Sequence, residues 1–247
     1  MKKIPFKTVI MATLVMTVTM IMAECSDVQA FNKTAIIETE VLNESIADND
    51  SIVQNEITSS LLFMREEEKL ARDVYLTLAA MYPSAATFSN IGETSEQTHT
   101  DTVRDMLEKY SIPDPNPAAN NLPDSIGVFT GADYGWYFTE KFNDLVAWGA
   151  ESVLDALYVG AFIEELDMID IVKCPKVIVQ TDNGIDEDEC GLEYTDETDL
   201  QTMYTHLVEG SKDHLRAYVK NIEKIIGEGN YEAQILSQEE VDAILGR

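Results

Sequence analysis

Two carboxylates and a histidine stand where helices bury their apolar sides, and this placement constrains the chain more than any other feature. Across Glu68-Lys-Leu-Ala-Arg-Asp-Val-Tyr75, helical spacing puts Glu68 in line with Leu61, Met64, Ala71, Tyr75 and Leu78. One helix later, Glu96 and His99 continue a stripe of Gly92, Val103, Met106 and Tyr110. A charge inside an apolar stripe is costly unless something pairs with it. Where a histidine stands beside it, a metal ion is the commonest remedy. The pattern predicts a metal site inside a helix bundle.

The flanking sequence defines what belongs to that bundle. Lys2, Lys3 and Lys7 precede an uncharged apolar run from Val9 to Ala23, and small residues follow at Val28-Gln-Ala30. This is the layout of a secretory signal peptide over residues 1–30, which predicts an exported protein with no stable membrane span after cleavage. Residues 31–55 are polar, without a steady period, and are expected to form a flexible acidic spacer. The whole chain carries −28, a charge that repels nucleic acid and anionic lipid and attracts metal cations. Beyond the leader two cysteines remain, Cys174 and Cys190, flanking a polar insertion over residues 174–195. In an oxidising compartment they predict a disulfide, with metal ligation as the alternative.

From about Glu56 to the C-terminus the period is helical. A first helix runs to Tyr82, where Pro83 stops it, and a second continues to Tyr110. Pro113, Pro115 and Pro117 then open a long irregular crossover. A short helix covers about Tyr137 to Trp148, a third main helix about Glu151 to Lys173, and a fourth about Glu197 to Gly227. Only Val177 to Val179 shows strand-like character. Ser237-Gln-Glu-Glu240 is a capping box opening a final short helix. Four main helices with a long crossover between the second and third describe an all-α, ferritin-like four-helix bundle over residues 56–247.

In carboxylate proteins of that architecture, two helices give one Glu each and two give Glu-x-x-His. Here the first helix offers Glu68. Glu66 and Glu67 lie about 160° and about 100° round the helix from it and are expected to be solvated. The second helix offers Glu96 and His99. On the third, Glu164 aligns with Leu157, Ala161, Met168 and Ile171, while Glu165 shares a different apolar row, so periodicity leaves the two open; Glu164 is favoured. Asp167 stands one turn on. On the fourth, His214 lies with Met203, Leu207, Ala217 and Tyr218, but Ser211 occupies the place of the second Glu. Tyr75 and Tyr218 are expected to pack in the core with a hydrogen bond to a carboxylate. His206 is peripheral.

Residues 61–247 resemble the ferritin-like superfamily, near rubrerythrin, in the Glu68-x-x-Ala71-Arg72-x-x-Tyr75 helix and the Glu96-x-x-His99 helix. They more closely resemble an uncharacterised branch of it, a domain family of unknown function. That likeness rests on Glu67-Glu-Lys-Leu-Ala-Arg-Asp-Val-Tyr75, Ser95-Glu-Gln-Thr-His99, Ile163-Glu-Glu-Leu-Asp167 and Gly210-Ser-Lys-Asp-His-Leu-Arg-Ala217. The resemblance implies a carboxylate/His centre holding iron, mono- or di-iron, with manganese as an alternative. Its ligands would be Glu68, Glu96, His99, Glu164 and His214, with Asp167 as an additional oxygen donor. The implied chemistry is ferrous iron oxidation or peroxide reduction. The chain lacks the Cys-rich iron domain that rubrerythrins carry, so an external electron donor is implied. A homodimer is left open. The rival reading is a secreted helical binding or structural module with a structural metal or none.

Overall fold

The computed structural model describes residues 28–181 and 185–247, with side chains from residue 54 onward. Residues 1–27 of the expected leader lie outside the described residues, and so do the side chains of most of the expected spacer. The chain divides at residue 50, and the unit Asp50–Arg247 holds everything that follows.

The protein is all-helical, with no strand among the described residues. The elements in order are α1 (Val28–Met81), α2 (Thr87–Asn90), a wide-turned π segment (Ile91–Glu96), α3 (Gln97–Lys109), α4 (Gly135–Gly149), α5 (Val153–Val172), α6 (Lys176–Thr181), α7 (Thr198–Ile226) and α8 (Gln238–Leu245). Helix α1 begins well before the expected Glu56. No Gly or Pro interrupts residues 28–81, so nothing in the backbone opposes helix there. The strand-like run at Val177 is the helix α6, too short a β-branched stretch to override its setting. Ser152 caps α5, its side chain accepting from the Asp155 amide, and the Ser237/Glu240 capping box opens α8. No described helix is long and apolar enough to cross a membrane.

The core forms where α1, α3, α5 and α7 meet. Leu61, Met64, Ala71, Val74 and Leu78 of α1 are buried with Val103, Ala161, Ile171, Leu207, Leu215 and Ile222. Two close approaches set the spacing. A Cβ on Gly160 would lie 2.4 Å from the Tyr218 ring, and one on Gly92 would lie 3.1 Å from the Tyr75 Cβ. The helices therefore pack backbone against side chain at these points. Phe63 joins α1 to α4 through the rings of Tyr134, Tyr137 and Phe138.

The crossover between α3 and α4 is clamped to α1 by charges. Arg65 pairs with Asp114 at 2.9 Å and donates to the Thr100 carbonyl. Lys69 pairs with Asp73 and donates to the Ser125 carbonyl, while Asp73 accepts from the Gly127 amide. Arg72 donates to Asp73, to Gln97 and to the Ala119 carbonyl. Glu66 accepts from Asn116 and from the Gly131 amide. Glu66 and Glu67 are thus buried rather than solvated. The loop covers the face of α1 that helical periodicity assigns to water, and it supplies the donors that make burial of Glu66 tolerable.

Cys174 and Cys190 form a disulfide across the insertion. Of its described acids, Asp186, Glu187, Asp188 and Glu193 face solvent and Glu189 is half-buried. Replacing both cysteines by serine is expected to lower the unfolding free energy by about 3 kcal/mol, the chain entropy of a loop this long. Urea unfolding of the two proteins without reductant measures it. A loss below about 1 kcal/mol would mean that packing, not the crosslink, holds the insertion.

Candidate metal centre

Glu68 is fully buried on α1, and neither arginine within reach of it in sequence pairs with it. Arg72 is committed to Asp73 and the crossover, and Arg104 to Asp101 and Asp105. Its neighbours are instead His99 of α3, with Nδ1 3.3 Å from Glu68 Oε2, and Glu96. His99 Nδ1 also lies 3.5 Å from Glu96 Oε2. From α7, His214 Nδ1 lies 2.8 Å from Glu96 Oε1 and 3.3 Å from Glu164 Oε2. The two imidazole rings are 5.4 Å apart. Four helical segments thus bring Glu68, Glu96, His99, Glu164 and His214 together.

The contacts are close but do not form aligned hydrogen bonds. Both oxygens of Glu68 and of Glu96, Oε2 of Glu164 and Nδ1 of His214 are buried without a hydrogen-bond partner. Buried polar atoms are nearly always satisfied, so a cluster of orphans facing inward marks a place for something that accepts all their lone pairs. Glu96, His99 and His214 each offer a ligand atom within 4.8 Å of the others, a group able to hold a metal ion. Carboxylate and imidazole are donors suited to iron, manganese or zinc.

The site's electrostatics depend on its two histidines. Burial works against charge on both, yet Glu96 and Glu68 raise His99 to about 11, and Glu164 and Glu96 raise His214 to about 11. Burial pushes Glu96 up, but His214 and then His99 more than reverse this and hold it below the usual carboxylate range. Burial raises Glu68, and it raises Glu164 to about 7 against the pull of His214. With no ion bound, protons do what a cation would do.

Surrounding residues orient this set. Tyr75 donates to Glu164 Oε1 at 2.5 Å, the carboxylate bond expected of it. Tyr218 packs on Tyr75 and Phe88 with its ring against Gly160, and its hydroxyl makes no hydrogen bond to a carboxylate. The π segment accounts for a residue that periodicity alone misses. Its widened turn lets Ser95 reach His214 Nε2 at 2.7 Å while Glu96 faces Nδ1 of the same ring. With Nε2 engaged by Ser95, Nδ1 is the ring nitrogen turned toward the carboxylates. Gly210 makes room for His99, since a Cβ there would stand 2.4 Å from the imidazole. Ser211 is buried and turned back on its own helix, donating to the Leu207 carbonyl.

Glu164 and Glu165, left open by periodicity, have separate surroundings. Glu165 accepts from the Tyr231 hydroxyl at 2.6 Å and from the amides of Gln234, Ile235 and Leu236, so it anchors the C-terminal segment. Asp167 is buried one turn beyond Glu164. Burial, then Glu68, Glu164 and Glu96, push its carboxyl well above the usual range. It lies at ion-pair distance from neither histidine. His206 is exposed, with its ring 5.7 Å from that of His99. It joins Glu209, Asp213 and Thr98 around a cavity of about 410 Å³ whose inner wall is His99 and His214. The cluster therefore has a polar route to the surface.

Fold and site together describe a helical protein with a buried Glu/His cluster between its helices. Residues 57–247 match the family described as an uncharacterized protein domain (DUF2202), and the chain belongs to that family. It is 41% identical over 193 residues to the Uncharacterized protein MJ0754 of Methanocaldococcus jannaschii, across 78% of this chain and 88% of that one. The crystal structure of that hypothetical protein is similar to the present fold, with a TM-score of 0.59 over 77% of this chain and 91% of that chain.

The division of labour on α5 is testable. Glu165→Ala is expected to cost about 2–4 kcal/mol, because three backbone amides and a tyrosine lose a charged acceptor. Limited proteolysis should then cut near Gln234. Glu164→Gln in chelator-treated protein is expected to stay within about 1 kcal/mol of the parent or exceed it, since it removes a buried charge. The reverse ranking in denaturant unfolding would reverse the two assignments.

Proposed function

We propose that this chain is an exported, ferritin-like metalloprotein whose centre binds iron, with manganese as the alternative. In this reading Glu68, Glu96, His99, Glu164 and His214 hold the metal, and Asp167 is an additional oxygen donor. The observation that carries the reading is the set of buried polar atoms without hydrogen-bond partners on Glu68, Glu96, Glu164 and His214, whose side chains meet through the two histidines. Iron held there would supply exchange of electrons with dioxygen or peroxide, giving ferrous iron oxidation or two-electron peroxide reduction. The protein's part is to fix the donors. Tyr75 orients Glu164, Ser95 holds Nε2 of His214, and Gly210 seats His99. Electrons for repeated turnover would come from an external donor. Export is supported by the basic and apolar start of the chain.

One observation favours a structural metal instead. Ser211 takes the place of a fourth-helix Glu and bonds only to Leu207, so the donor set is asymmetric. A structural ion would be redox-silent and held tightly.

Protein purified without oxygen and offered Fe²⁺, Mn²⁺ and Zn²⁺ in competition is expected to retain one or two iron or manganese ions per chain. His99→Ala and His214→Ala should each lose them, read by elemental analysis. Retention unaffected by both substitutions, or no retention in the parent, would sink the metal reading. Zinc bound in preference, with no optical change in air, would favour the structural ion.

The cavity bounded by His206, Glu209 and Asp213 is the route by which ions would reach the centre. Combining His206→Ala, Glu209→Gln and Asp213→Asn is expected to slow Fe²⁺ uptake several-fold at low salt, by weakening the electrostatic funnel. Final stoichiometry should not change. Stopped-flow loading at an unchanged rate would close this route.

A further inference from the structure

Beside the centre lies a second cavity, which shares Asp167 alone with the metal reading. It measures about 260 Å³ and sits between α1, α4 and α5. Its walls are apolar and aromatic, including Leu70, Phe138, Trp148 and Phe162, and its polar lining includes Glu67 and Asp167. Glu67 is 5% exposed, and its Oε2 has no hydrogen-bond partner. Asp170 shares a hydrogen bond with Glu67, and neither carboxyl group has a cationic side chain at ion-pair distance among the described residues. Lys141, at the same cavity, holds its ammonium over the Tyr137 ring, 5.3 Å from the centroid, and makes no ion pair with Glu67.

We propose that this cavity binds a small organic cation: a primary amine with an apolar or aromatic tail. An ammonium group supplies the N–H donors and the positive charge that Glu67 lacks. A hydrocarbon tail fills walls that offer little to a hydrated ion. Tyr137, Trp148 and Phe162 present rings to such a cation. A metal ion is a poorer occupant, because around the carboxylates Glu67, Asp144 and Asp167 most of the lining is hydrocarbon and aromatic. A fatty carboxylate is poorer still, because its head would meet Glu67 and Asp167. The inference stands apart from the metal reading and is tested on chelator-treated protein, so either can fail without the other.

The full chain carrying Trp136→Phe leaves Trp148, which lines the cavity, as the fluorescent reporter. It is titrated with 2-phenylethylamine, 2-phenylethanol and 3-phenylpropanoate. The amine is expected to bind saturably and at least about tenfold tighter than the alcohol, the margin of a charge-assisted hydrogen bond. Glu67→Gln should remove that margin while leaving the alcohol's affinity unchanged. A crystal soaked with the 4-bromo amine should place the bromine in the cavity, and this holds whether or not the variant folds. Absence of saturable amine binding to the parent below ~10 mM, equal binding of amine and alcohol, tighter binding of the carboxylate, or bromine elsewhere would overturn the proposal.

Discussion

The structure is organised around a difficulty in electrostatics. Glu68, Glu96, Glu164 and Asp167 are all buried, and the cationic side chains that face Glu68, Glu96 and Glu164 at ion-pair distance are two histidines. Isolated buried carboxylates are too costly to persist without compensation. Arginine or lysine would solve the problem permanently, yet α1 turns Arg65, Lys69 and Arg72 away from the cluster and into the crossover. The arrangement keeps the acids available to an exchangeable partner, whether protons or a metal ion.

The crossover makes that division possible. On α1 the positively charged side chains and Asp73 bind loop carbonyls, amides and acids, while Glu68 is left to the interior. Fixing the loop also buries Glu66, while Glu67 is buried toward α4 and α5 and forms part of the wall of the apolar cavity beside the centre. Three consecutive glutamates on one helix thus occupy three environments: a loop clamp, a cavity wall and a metal-type cluster. Their differences come from what packs against each, since their local sequence is the same.

Helical periodicity made much of this legible. Glu68, the Glu96/His99 pair and His214 fall on buried stripes, and the structure brings them together. What periodicity cannot register is what covers a helix face, so Glu66 and Glu67 looked solvated when the crossover in fact encloses the first and α4 and α5 the second. It also assumes a constant turn. The π segment breaks that assumption, which is why Ser95 went unnoticed as the partner of His214. The choice between Glu164 and Glu165 was undecidable from spacing because both faces of α5 are buried; only the C-terminal segment, folding back onto Glu165, separates them. The early start of α1 was hidden for the opposite reason, since polar residues without a period can still be helical when nothing breaks the backbone.

The Gly210–Ser211 pair on α7 ties these points together. A glutamate at 211 would complete a symmetric set of donors, but the serine is satisfied by its own helix and reaches nothing in the cluster. Next to it, Gly210 has no side chain, and the space goes to the His99 ring. The fourth helix therefore gives up one oxygen donor and gains room, and the cavity bounded by His206, Glu209, Gly210 and Asp213 reaches inward along the same stretch. A symmetric, fully satisfied carboxylate box would be closed on that side. Here the buried serine and the cavity-lining glycine are neighbours in sequence, so the stretch of α7 that brings no carboxylate to the cluster is also the stretch along which solvent approaches His99 and His214.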